Sequence, residues 1–190
     1  MDSSAAVEPL SVVFVCTGNR FRSVLAEAAF RSAADGVPVR VSSYGTLDLG
    51  PIEPLEGAVR EAQALGLQIT RHVARSLTTA DLSDTSLVLG FELHHAVTAV
   101  DVAHARLDHI FILPELVALL DRIGVVHRPD PIEQARENLA RAQAQRDSAG
   151  GRSCLEIEDP VSLAEPAQRA IARAVYDNAR TLAVQLFRRE

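Results

Sequence analysis

The stretch Val12-Val13-Phe14-Val15-Cys16-Thr17-Gly18-Asn19-Arg20-Phe21-Arg22-Ser23 constrains this chain more than any other. Its apolar, β-branched start reads as a buried strand, because such side chains fit a pleated core surface. The run stops at Cys16, and after one compact turn a helix is predicted over residues 23–34. Strand, tight loop and helix in that order make the first half of a βα unit, which favours a mainly parallel sheet covered by helices. The same order places a thiol, a turn and a fixed cation beside a helix start.

The alternation continues along the chain. Further strands are predicted at residues 38–43, 87–89 and 109–113, after a first strand at 11–16. Further helices are predicted at 56–65, 92–102, from Pro114 to just before Gly124, at 131–146 and at 165–187. Leu77 and Leu82 suit a short bridging element between two of them. In the first helix Leu25, Ala28, Ala29 and Ala33 share a face, and Glu27 and Arg31 form an i,i+4 pair. The pattern reads as one three-layer α/β domain over residues 1–190, a length that supports one substantial core. The segment 128–152 is helical and polar, and its helix is expected to lie solvated over one face; residues 148–153 read as a loop.

Composition narrows the function. Nineteen basic against 25 acidic side chains give a net charge of −6, which makes nucleic acid a poor partner. No apolar run approaches membrane-spanning length, and Met1-Asp2-Ser3-Ser4 does not open like a secretory signal. Cys16 and Cys154 are too few for a disulfide framework, which leaves reduced thiols in the cytoplasm as the simpler expectation and one bridge as its alternative. Neither the ATP-binding Gly-x-x-x-x-Gly-Lys-Ser/Thr loop, nor Gly-x-Gly-x-x-Gly, nor Cys-x-x-Cys occurs, and no Cys/His spacing suits zinc. No cofactor and no metal are expected.

A thiolate is stabilised at a helix start by backbone amides, the helix dipole and a nearby cation. A phosphate ester is bound by the same groups: amides of Thr17 to Ser23 for its oxygens, and Arg22 as a two-pronged clamp. Gly18 permits the tight path, Asn19 tolerates a left-handed conformation, and Ser23 can donate to the Cys16 sulfur. The competing view is a buried structural cysteine beside a surface arginine. Cleaving a phosphate ester also requires a proton for the leaving oxygen. Asp159, in Glu156-Ile157-Glu158-Asp159-Pro160, is the candidate acid, with Glu158 its local competitor; Pro160 restricts the backbone of Asp159.

With these residues in place the chain resembles the low-molecular-weight protein-tyrosine-phosphatase family of bacterial type. The resemblance rests on Cys16 to Ser23, on Ser42-Ser43-Tyr44-Gly45-Thr46, and on His72-Val73-Ala74-Arg75-Ser76-Leu77. It extends to Phe91 and His95, to Phe111-Ile112-Leu113-Pro114-Glu115-Leu116, and to Asp159-Pro160. It implies a three-layer α/β/α sandwich with a central four-stranded parallel sheet, order 2-1-3-4. It also implies Cys16 as nucleophile, Arg22 as phosphate binder, Asp159 as general acid, Ser23 as aid to the thiolate, and Ser43 as support for Asn19. The function it implies is hydrolysis of phosphotyrosine in proteins through a cysteinyl-phosphate, with a phosphorylated protein or a small phosphoester as the substrate.

Three departures bear on that resemblance. Phe21 stands where many members carry a second cysteine, so no adjacent thiol can shield Cys16. Cys154 could take that redox role only if the late loop approached the site. Aromatic residues are scarce where the pocket mouth is expected; Arg20, Tyr44, Leu47, Leu49 and Val161 are the candidates there. The segment 128–152 is longer than a compact member needs and reads as a cap, with screening of the site or partner binding as alternatives. Other functions in view are a phosphatase for another phosphoester, an arsenate reductase using an external thiol, and a non-catalytic phosphoprotein-binding module.

Overall fold

The computed structural model describes residues 9–148 and 155–188. Its strands are β1 (Leu10–Cys16), β2 (Val39–Gly45), β3 (Leu87–Gly90) and β4 (Ile110–Ile112). All pair in parallel, in the order β2-β1-β3-β4. The helices are α1 (Arg22–Ala33), α2 (Glu56–Ala64), α3 (Leu93–Ala103), α4 (Leu113–Ile123), α5 (Pro131–Ser148) and α6 (Glu165–Phe187). This is the three-layer α/β/α sandwich, with its sheet in the expected order. A 3-10 turn at Leu77–Thr79 is the short bridging element.

Alternation along the strands sorts the core into two layers, since successive side chains leave a strand on opposite faces. Leu10, Val12, Phe14 and Cys16 face the same way as Leu87, Leu89 and Phe111, into the core shared with α1, α4, α5 and α6. Val13, Val15, Val88, Ile110 and Ile112 face the other way, against α3 and Leu77. Cys16 therefore emerges on the α1 side of the sheet. The larger core is tied together by Phe30, whose ring meets Phe14 edge-on at 5.7 Å and Phe187 at 5.8 Å. Truncating such a fully buried ring to alanine costs about 3–5 kcal/mol.

Several boundaries shift by one or two residues, β2 reaching Gly45 rather than residue 43, and two differences have a physical cause. The fourth strand ends at Ile112, not at residue 113, because Glu115 reaches back to accept the Ile112 amide at 3.0 Å and starts α4 at Leu113. Helix α5 is not merely a solvated cover. It packs on α4 and α6, and buries Gln134, Asn138 and Arg146 together with Ile132, Ala135 and Ala142. Its polar side chains are drawn inward by main-chain groups left unpaired in a loop and at the C-terminal end of α6: Asn138 pairs both polar groups of Val126, and Gln134 donates to the carbonyls of Leu186 and Arg188. Residues 149–154, which include Cys154 and most of the predicted loop, lie outside the described residues. Among the described residues no helix is long and apolar enough to cross a membrane.

Candidate active site

The loop from Cys16 to Ser23 closes the C-terminal end of β1. Phe21, which precedes α1, offers no side-chain cap, and the first turn of α1 holds no acidic residue. The amide end of the helix is thus left open to an anion. Cys16 Sγ lies 3.0 Å from Ser23 Oγ, one residue into the helix. That serine oxygen also accepts the Asn19 amide at 2.9 Å, so its own proton is available to the sulfur.

Asn19 holds the loop from beneath. It is fully buried with a left-handed φ of +52°, a conformation that asparagine tolerates better than most residues. Its Nδ2 donates to Ser23 and, at 2.8 Å, to Ser43 Oγ. Its Oδ1 accepts the Arg75 amide at 2.8 Å and His72 Nε2 at 3.1 Å. Ser43 in turn donates to Glu27 at 2.5 Å. His72 Nε2 also meets the Asn19 carbonyl at 3.0 Å, and since both partners only accept, Nε2 carries the proton. Burial lowers the proton affinity of His72, with Glu27 pulling partly the other way.

The main chain of the loop is fastened to the segment after β2. Thr46 donates to the Cys16 carbonyl and Leu47 to that of Thr17, both at 2.9 Å. Gly45 makes this approach feasible: a Cβ there would sit 3.0 Å from the Asn19 nitrogen, the Gly18 carbonyl carbon and the Thr17 oxygen, all backbone atoms. Farther along, Leu55 donates to the Arg20 carbonyl at 3.1 Å and Arg20 Nε to the Glu53 carbonyl at 2.8 Å.

Arg22 is 1% exposed and fixed by four hydrogen bonds. One terminal nitrogen, Nη1, donates to the Glu92 carboxylate and to the Ile157 carbonyl at 2.7 Å. The other, Nη2, donates to Asp159 Oδ2 at 2.6 Å and to Thr17 Oγ1 at 3.1 Å. The late loop that supplies Asp159 is tied to the β3–α3 junction, where Ile157 donates to the Phe91 carbonyl at 2.9 Å and Leu93 to the Glu156 carboxylate at 2.7 Å. Asp159 Oδ1 accepts the Val161 amide at 3.1 Å, which turns the chain and aims the other oxygen at Arg22. Glu158 is exposed and does not line the site.

A recess of about 240 Å³ is lined by Cys16, Thr17, Gly18, Arg20, Phe21 and Arg22 from the loop, with Leu47, Leu49, Leu55, Asp159 and Val161 opposite them. Leu47, Leu49 and Val161 are exposed, which makes the rim aliphatic. Asn19, Ser23 and Ser43 are buried beneath the loop and brace it. Tyr44, expected as a mouth aromatic, does not line the recess. It pairs with Val15 in the sheet register and leaves β2 on the α3 side, where its ring packs under the Arg75 guanidinium at 4.9 Å.

Glu92 and the roles of His72 and His95 were not readable from the chain. The two histidines fall in segments that carry the family resemblance, yet nothing local to them predicts contacts with residues 17 and 19. Glu92, His94 and His95 also place ligand-type atoms within 4.8 Å of one another. They make a poor metal site, because Glu92 is engaged by Arg22 and both His95 nitrogens are engaged. Nδ1 faces the Phe91 and Glu92 amides at 3.3 and 3.0 Å, and Nε2 faces Thr17 Oγ1 at 3.2 Å.

A strand-end thiol, a loop at a helix start, a buried arginine and a carboxylate from a distant loop make the layout of a cysteine-dependent phosphate-ester hydrolase on a parallel sheet. The family model for low molecular weight phosphotyrosine protein phosphatase matches residues 11–149, and the chain belongs to that family. It is 31% identical over 137 residues to the protein-arginine-phosphatase of Bacillus subtilis (strain 168), covering 68% of this chain and 89% of that protein. It is 34% identical over 79 residues to the probable low molecular weight protein-tyrosine-phosphatase EpsP of Ralstonia solanacearum, covering 42% of this chain and 53% of that protein. In fold it is similar to the crystal structure of a YwlE mutant from Bacillus subtilis, with a TM-score of 0.67 and 23% identity over 93% of this chain and 98% of that one.

Proposed function

We propose that this chain hydrolyses phosphotyrosine in proteins, with Cys16 as nucleophile, Arg22 as phosphate clamp and Asp159 as general acid and base. The observation that supports this most is the sharing of Arg22 Nη2 by the nucleophile loop, through Thr17, and by Asp159. An incoming phosphate takes over the guanidinium and leaves the carboxyl group beside the ester oxygen. The Cys16 sulfur attacks phosphorus, the bond to the ester oxygen breaks, and Asp159 gives its proton to the departing phenolate. Asp159 then takes a proton from water, the water oxygen attacks phosphorus, and the sulfur–phosphorus bond breaks, releasing phosphate. The Ser23 hydroxyl, 3.0 Å away, stabilises the thiolate that enters and leaves this cycle. A reduced, cytoplasmic setting that keeps the thiol free belongs to the same reading.

The name of the Bacillus subtilis relative raises phosphoarginine as a second substrate. Arg20 argues for the tyrosine reading, since it lines the recess and its cation disfavours a positively charged guanidino group brought close to it. Leu47, Leu49 and Val161 offer aliphatic contact to a flat aryl ring without needing an aromatic wall. Initial rates on phosphotyrosine, phosphoserine and phosphoarginine peptides and on a small aryl phosphate, for wild type and C16S, test the proposal. Phosphotyrosine and aryl phosphate should be turned over and C16S should be inactive. Turnover that survives C16S removes the mechanism, and a preference for phosphoarginine removes the substrate.

A further inference from the structure

The Thr17 hydroxyl carries a proton that neither of its two polar neighbours can take. Arg22 Nη2 lies 3.1 Å from Oγ1, and a guanidinium only donates. His95 Nε2 lies 3.2 Å from the same oxygen. The direction of that second bond follows from the far side of the ring. His95 Nδ1 faces the backbone amides of Phe91 and Glu92, at 3.3 and 3.0 Å, and amides only donate. Nδ1 must therefore present its lone pair, which puts the ring proton on Nε2 and points it at Thr17. Both lone pairs of Oγ1 are then occupied, and the hydroxyl proton is directed away from Arg22 and His95. The ring is held in this orientation by complete burial, and Gly90 makes room for it: a Cβ at Gly90 would sit 3.1 Å from that of His95. Thr17 itself lines the recess together with Cys16 and Asp159.

We infer that Thr17 binds the substrate phosphoryl group through its side chain, donating its hydroxyl proton to a phosphoryl oxygen, and that His95 is the positioning residue that fixes this direction. The inference rests on the phosphatase reading, but it is read by binding rather than by turnover. The probe is inorganic phosphate, titrated calorimetrically into the full chain carrying T17V, T17S, H95L or H95Q. T17V keeps the shape and loses the donor, and should weaken phosphate binding on the order of 10- to 100-fold, the usual worth of a hydrogen bond to a charged group. T17S should bind as the wild type does. H95L should weaken binding in the same direction as T17V. H95Q should restore it, because a glutamine amide accepts at oxygen and donates at nitrogen with the spacing of the two ring nitrogens. Wild-type affinity in T17V, or H95Q as weak as H95L, overturns the inference. Should H95L fail to fold, the pair T17V and T17S decides alone. An active C16S beside weakened T17V binding would remove the covalent mechanism and leave this assignment standing.

Discussion

At the scale of single residues, Asn19 joins backbone geometry to chemistry. Its left-handed φ and its four side-chain hydrogen bonds brace Ser23 from below, and Ser23 touches the Cys16 sulfur. N19A should lower the free energy of urea unfolding by about 3 kcal/mol, from the left-handed penalty and the lost buried pairs. A second prediction concerns His95, whose proton affinity is pushed down to about 2 by burial, with Arg22 and His94 acting in the same direction. The unfolded chain keeps the ordinary value of 6.5, so between the two values the unfolded state binds the extra proton. Stability from this ring is complete above the unfolded value and declines as pH falls below it, by at most about 1.4 kcal/mol per pH unit. His72 is shifted the same way and adds to the decline. Urea unfolding between neutral and mildly acidic pH should show the slope, and H95Q should flatten it; an unchanged slope in H95Q would mean that other groups carry it. Residues 16–23 were legible as a site because one continuous stretch holds thiol, turn, cation and helix start. His95 and Glu92 were not, because their meaning arises only when β3 and α3 bring them against residues 17 and 22.

At the scale of elements, polarity misled where a helix is recruited to finish other elements' hydrogen bonds. The composition of α5 gives it the look of a solvated face, yet Asn138 accepts the Val126 amide at 2.8 Å and donates to the Val126 carbonyl at 2.9 Å, as a neighbouring strand would. Sequence periodicity records which side chains are apolar, but not which loop groups need a partner. α6 was legible end to end, because its spaced apolar face from Ile171 to Leu186 answers to burial alone. N138L should therefore destabilise despite adding apolar surface. Leaving both Val126 groups unpaired costs about 1–3 kcal/mol each, readable as a lower thermal midpoint with kcat unchanged. An equal or higher midpoint would show that water reaches Val126 and that α5 is the loose cover its composition suggests.

At the scale of the whole molecule, the site is complete only when chain segments 137 residues apart meet on one guanidinium. Arg22 holds the acid loop by the Ile157 carbonyl and by Asp159, and Glu92 shares the charge from the β3–α3 junction. Asp159 thus has two relations to the site: it is the proposed proton donor, and it occupies the nitrogen that an oxyanion would use. These relations predict opposite effects on catalysis and on binding. In D159N, the loss of the acid should lower kcat for a phosphotyrosine peptide by about 10²- to 10⁴-fold. Inorganic phosphate should bind at least as tightly as to the wild type, because the carboxylate that competes for Arg22 and repels the anion has been neutralised. Calorimetric titration beside the kinetics separates the two. Phosphate affinity falling in step with kcat would mean that Asp159 acts by keeping Arg22 in place, and that the proton comes from another group.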